Sequence, residues 1–229
     1  MDNKKNRFSI KEAISFGWAS VNENLLFFIS VSLGVIILIL GLDVLANNFK
    51  ETNPLLETLF NVLGTIVNVV LTLGFTKLSL LAYKGDKPHI SIIFSQTKYF
   101  FRYFFASILY GIITLLGLAL LVVPGIIWGV RFRFFGYAIV DKDTGIINSL
   151  KESYRLTKGL TWKIFVFSLA IFGINILGLI AAGVGLLVTI PISIIAIGYV
   201  WQKIKDFHTE AIIVQPKELN ENNETVVLV

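Results

Sequence analysis

Apolar positions along this chain fall into two patterns. Six long runs are nearly free of charge, and three shorter stretches carry apolar residues at helical spacing. The long runs are Leu25–Ala46, Leu55–Leu81, Phe104–Val123, Ile126–Val140, Lys163–Ala182 and Leu186–Trp201. At roughly 1.5 Å per residue, about 20 residues cross a hydrocarbon core of about 30 Å, so the runs predict membrane spans. Ile126–Val140 is short, reaching only about 22 Å. It must thin the bilayer, borrow helix from its flanks, or be re-entrant.

The first short stretch opens on Ser9-Ile10-Lys11-Glu12, a capping box. Ile10, Ala13, Ile14, Gly17, Trp18 and Val21 then form one apolar stripe. The second starts after Pro88 with Ile90, Ile93, Phe94, Thr97 and Phe101, and the third holds Ile147, Leu150 and Tyr154. Each predicts an amphipathic helix lying in the headgroup plane, or else packed on protein. Each precedes two spans, which gives three repeat-like units, 8–85, 88–140 and 144–206. The predicted fold is all-α: a polytopic membrane protein of six transmembrane helices in three hairpins, each preceded by a cytoplasmic amphipathic interfacial helix. The membrane domain covers 8–205, between a flexible N-terminus (1–7) and a polar, disordered C-terminal tail (206–229).

The connections are read from their breakers. Pro124-Gly125 is expected to turn the third span into the fourth, because proline lacks an N–H and glycine tolerates tight turns. Asn47–Pro54 and Gly183-Val184-Gly185 close the other two hairpins, and Pro191 predicts a kink. Val44-Leu45-Ala46 mimics a signal-peptide cleavage site, but the run before it exceeds the roughly 7–15 residues of a signal core, so it reads as a retained helix.

Composition sharpens this picture. Hydrophobic residues make up 55% of the 229 and charged residues 15%, below the roughly 25% of a soluble domain. Such a chain cannot cover its apolar surface in water. The net charge is +5, yet the basic residues sit beside the apolar spans, which fits positive-inside topology rather than nucleic acid. Of the 20 Lys and Arg, all but Lys50, Arg131 and Arg133 fall on segments predicted to be cytoplasmic. The expected location is a bacterial cytoplasmic (inner) membrane, multi-pass, with both termini cytoplasmic. The expected partners are the bilayer and its anionic lipid headgroups, together with an unidentified membrane protein. Arg133, Lys151, Arg155 and Lys158 are the candidate headgroup contacts.

Candidate chemistry is sparse. Cysteine is absent, which excludes disulfides and thiolate chemistry. His89 and His208 are far apart in sequence, and no metal site or cofactor is expected. Asp141-Lys142-Asp143 could present two carboxylates to Mg²⁺, though capping of the next helix is the simpler role. Arg131 lies within a span, where a charge costs at least about 2.5–3.5 kcal/mol and must face protein or water. Asn68 and Asn175 lie at comparable expected depth, so Arg131, Asn68 and Asn175 form a candidate intramembrane polar cluster. The cluster is either a pocket or a hydrogen-bonded clamp. Arg133, roughly 200° away around the helix, is expected to snorkel to the surface.

Val123-Pro124-Gly125-Ile126-Ile127, Ser149-Leu150-Lys151-Glu152-Ser153, Leu156-Thr157-Lys158-Gly159 and Trp162-Lys163-Ile164-Phe165 carry a family likeness. In them the chain resembles the uncharacterised bacterial integral membrane proteins of domain of unknown function 975. It is also similar to the membrane domain attached to some glycerophosphodiester phosphodiesterases. The resemblance implies a multi-span membrane protein and carries over no catalytic residue. The functional expectation is a non-enzymatic protein that organises or supports the membrane or a partner complex. The alternative is a transporter or channel for a small, anionic solute or lipid headgroup, built on the Arg131 cluster.

Overall fold

The computed structural model describes residues 8–181 and 183–218. Among these it is all-helical. The helices are α1 (Ile10–Glu23), α2 (Leu25–Phe49), α3 (Pro54–Tyr83), α4 (Ile90–Phe94), α5 (Phe100–Leu120), α6 (Val122–Phe132), α7 (Phe135–Lys142), α8 (Ile146–Leu156), α9 (Thr161–Ile180) and α10 (Leu186–Glu218). Six stretches are long and apolar enough to cross a membrane: Leu25–Phe49, Pro54–Tyr83, Ile90–Leu120, Val122–Lys142, Thr161–Ile180 and Leu186–Thr209. The chain is therefore a multi-pass membrane protein by length and composition.

The short helices pack on protein. Ser9 caps α1 by accepting from the Glu12 N–H at 3.4 Å. The face of α1 bearing Ala13, Gly17 and Val21 is buried and lies on α10. A Cβ on Gly17 would sit 2.6 Å from the Ile192 carbonyl oxygen, so only glycine permits this approach. Trp18, on the same predicted stripe, is 58% exposed. The stripe thus divides between a protein-facing part and a free aromatic edge. In the same way α4 packs on α3, and α8 packs on α5, α6 and α7. Each short helix rests on a span of another predicted unit: α4 on the second span, α8 on the third and fourth, and α1 on the sixth. These contacts concentrate the core at one end of the bundle, around Phe134, Tyr137, Ile139, Leu156, Ile164, Val200 and Trp201. At the other end α2, α3, α5 and α9 expose leucines and isoleucines along much of their length, as surfaces meant for lipid do.

Three boundaries differ from expectation. The α5–α6 turn is at Leu121, which is extended (φ −162°, ψ 145°), and Pro124-Gly125 lies inside the first turn of α6. Proline is suited there because the first N–H groups of a helix have no intrahelical partner. The Gly125 N–H, donating to the Leu121 carbonyl at 3.3 Å, makes the first bond. Gly125 serves packing instead, since a Cβ there would meet the backbone N of Leu118 at 2.6 Å. The fourth run is longer than Ile126–Val140 but is broken at Arg133-Phe134 into α6 and α7. Finally, α10 continues to Glu218, through residues expected to be a disordered tail, because nothing from Trp201 to Gln215 is Gly or Pro. The remaining tail and the first seven residues lie outside the described part.

Candidate functional site

The break between α6 and α7 orients the site. It leaves backbone groups at Arg131 and Phe134 without helical partners, and α8 supplies them. The buried Ser153 hydroxyl donates to the Arg131 carbonyl at 2.7 Å and accepts from the Phe134 N–H at 3.1 Å. The Thr157 hydroxyl lies 3.1 Å from the same carbonyl. The two arginines point in different directions, as their roughly 200° separation around a helix requires.

Arg131 points to α8. Its guanidinium carbon lies 3.4 Å from the centroid of the Tyr154 ring, and Nη2 donates to the Tyr154 carbonyl at 3.4 Å. Such stacking is worth about 0.5–2 kcal/mol depending on desolvation. The expected cluster of Arg131, Asn68 and Asn175 is not brought together. Asn175 joins α9 to α10, its side-chain amide donating to the Ser193 hydroxyl at 2.8 Å and to the Ile171 carbonyl at 2.9 Å. Asn68 lines a separate cavity on α3. The three residues sit on different helix pairs because depth along a span does not fix the direction of a side chain.

Arg133, expected at the surface, instead donates a hydrogen bond to the Ser168 hydroxyl on α9. It lines a cavity of about 300 Å³ with Thr72, Thr76, Tyr103 and Tyr137. No carboxylate pairs with it among the described residues. The Tyr137 hydroxyl donates to the Ile194 carbonyl at 3.3 Å. Tyr103 packs its ring on Phe135, centroids 5.2 Å apart.

A second cavity, about 490 Å³, also has Tyr103 in its wall and is lined by Asp43, Asn61, Thr65, Asn68 and Ser107 among others. Sequence reasoning passed over the feature that joins the two. Asn61, Thr65, Asn68, Thr72, Thr76 and Ser79 follow one another three or four residues apart on α3, the spacing of a single helix face. The hydroxyls of Thr65, Thr72 and Thr76 donate to carbonyls one turn back, at 2.8–2.9 Å. Their protons are thereby spent on the helix, and their lone pairs remain available as acceptors.

The other basic candidates lie around α8. Arg155 donates two hydrogen bonds of 2.9 Å to Glu152, and Lys142 pairs with the same carboxylate. Lys151 is exposed, whereas Lys158 follows the last turn of α8 ahead of Gly159, whose φ of 81° turns the chain. Asp143 pairs with Arg102, and Asp141 accepts from Trp201 at 2.9 Å and Lys205 at 2.8 Å. The two aspartates therefore face different cations. Neither caps α8, whose N-cap is Gly145.

The hydrogen bonds from Arg155, then from Lys142, hold the Glu152 carboxyl down from 4.5 to about 2. A depressed folded-state value means a contribution fully present above the unfolded value and lost as pH falls through the folded one. Wild-type protein in detergent should therefore lose melting temperature between about pH 4.5 and 2. Glu152→Gln should start lower at pH 7 and show a shallower fall across that window; parallel curves for the two proteins would refute the contribution.

Residues 94–217 match the model of a family described as a domain of unknown function, DUF7847. No curated protein and no solved structure matches the chain. The match takes in α5 to α10 and, with them, both arginines, Tyr103 and the α8 stitch, so the chain belongs to the DUF7847 family, whose function is unknown.

Proposed function

We propose that this protein is a non-enzymatic transporter or channel that accepts a small anion, free or as a lipid headgroup, at Arg133. One observation carries the reading: a guanidinium within a candidate span lines a cavity and has no carboxylate partner among the described residues. Arginine keeps its charge and offers five donors, of which Ser168 is the one hydrogen-bond acceptor found among the described residues. An unpaired cation in a span is costly, and an anion in the cavity would relieve that cost. A purely supporting role, which sequence alone favoured, has no use for such a charge beside open space. We place the protein in a bacterial cytoplasmic membrane with both termini inside, as the basic segments indicate. The three short helices, each with an equivalent buried residue (Ala13, Ile93 and Leu150), support a threefold internal repeat. The resemblance to domain of unknown function 975 and to the phosphodiesterase-linked membrane domain fits this multi-span reading and adds no chemistry to it.

The test is thermal unfolding of purified protein with inorganic phosphate. A ligand at about 100 times its Kd stabilises by about 2.7 kcal/mol. Wild type and Arg131→Gln should both gain melting temperature with phosphate, and Arg133→Gln should not. Equal gains in all three would remove Arg133 from the binding site, and no gain in wild type would defeat the reading.

A further inference from the structure

The two cavities meet at one side chain. Tyr103 lines both, and the polar face of α3 runs past it from Asn68 to Thr72, one turn apart. Among the described residues no hydrogen bond holds its hydroxyl, whereas the hydroxyls of Tyr110 and Tyr137 donate to the Gly129 and Ile194 carbonyls at 3.0 and 3.3 Å. Its ring leans on Gly136, where a Cβ would come within 2.8 Å of it. Glycine at that position leaves the ring room that any other residue would take.

We infer that Tyr103 is a gate between two stations of one solute path: an outer station at Asp43, Asn61, Thr65 and Asn68, and an inner one at Thr72, Thr76 and Arg133. This deepens, and rests on, the reading of Arg133 as an anion site. The solute class follows from the linings. The outer station offers amides, hydroxyls and one carboxylate. Asp43 is already engaged by the Asn47 side-chain amide at 3.4 Å, so this station suits neutral hydrogen-bonding groups or an ammonium. The inner station offers a guanidinium. A small polar solute with an anionic group and a hydroxyl or amino group satisfies both in turn. The acceptor lone pairs along α3 bind such donors without a fixed register, as a path requires. A membrane-buried polar face also has to meet something other than lipid, and water with solute supplies it.

The absence of cysteine makes the path directly testable. Single cysteines are introduced at Asn61, Thr65, Asn68, Thr72 and Thr76. Leu63 and Val70, on the opposite face of α3, serve as controls, and Asn53 reports outside access. The probes are the sulfonatoethyl and trimethylammonium-ethyl methanethiosulfonates, added outside sealed vesicles. Thr65→Cys and Asn68→Cys should react about tenfold faster than Leu63→Cys and Val70→Cys. Thr72→Cys and Thr76→Cys should be slow, and about tenfold faster when combined with Tyr103→Ala. At these two positions the anionic probe should outpace the cationic one, with the advantage lost in Arg133→Gln. Gly136→Ala, which displaces the ring without deleting it, should speed Thr72→Cys and Thr76→Cys as well. Equal reactivity on both faces of α3 would overturn the path. If both the Tyr103 and Gly136 variants leave the inner positions unchanged, the gate fails, while the phosphate experiment still decides the anion site by itself. Oxidative dimerisation of Thr65→Cys would show that a second copy of the chain covers this face, which also overturns it.

Discussion

Trp201→Ala should be the most destabilising substitution in the chain outside the backbone breakers. Trp201 is fully buried, with its ring centroid 6.1 Å from that of Phe134 and 6.0 Å from that of Tyr137. Its indole N–H donates to Asp141, which Lys205 also reaches. Truncation opens a cavity at the meeting point of α7 and α10 and costs about 3–5 kcal/mol by the precedent of buried aromatics. Trp201→Phe keeps most of the packing and removes the donor. Its cost should fall to about 1–3 kcal/mol, the penalty for a partly unsatisfied polar group. Equilibrium unfolding in mixed detergent micelles should rank the proteins wild type, Trp201→Phe, Trp201→Ala. Equal stability of the two variants would mean that the Asp141 bond, and not the packing, dominates.

Gly74→Ala should come next. The Cβ it adds would fall onto the backbone of Ile93, well inside contact distance for its carbonyl group. Backbone cannot rotate aside as a side chain does, so α4 must move off α3. Overpacking of this kind costs about 1–3 kcal/mol, more where a helix is displaced. The loss outweighs the gain of up to about 1 kcal/mol that alanine brings over glycine in a helix interior. Gly173→Ala, on α9 with nothing near its Cβ position, receives that gain without the clash and should be neutral or stabilising. A Gly74→Ala protein as stable as the Gly173→Ala one would mean that α4 is not held against α3.

What the sequence carried plainly was whatever depends on long-range average hydropathy. The six spans lie close to their expected places because a run of twenty apolar residues has one sensible solvent. Features that depend on a few residues were harder to read. The α6–α7 break falls inside Arg131-Phe132-Arg133-Phe134-Phe135, a stretch without Gly or Pro. It exists because Ser153 of another helix satisfies the groups it frees. From sequence Arg131 is expected beside Asn68 and Asn175 and Arg133 at the surface, whereas Arg131 stacks on Tyr154 and Arg133 bonds Ser168 beside a cavity. The polar face of α3 was present in the sequence. Asn61, Thr65, Asn68, Thr72 and Thr76 lie among so many apolar neighbours that a search for apolar periodicity passes over them. A search for polar periodicity within the spans would have found it.

The seating of α1 on α10 also sets a schedule. The face carrying Gly17 leaves the ribosome about 175 residues before Ile192, the residue it closes upon. At roughly 5–20 residues per second that is a wait on the order of 10–30 s. During it the face of α1 that packs on α10 lacks that partner. The contact between Gly17 and Ile192 can form only once the final span has been made. The last helix packs on α2 and α3 as well as on α1, so it and the first helix together join the two ends of the described chain.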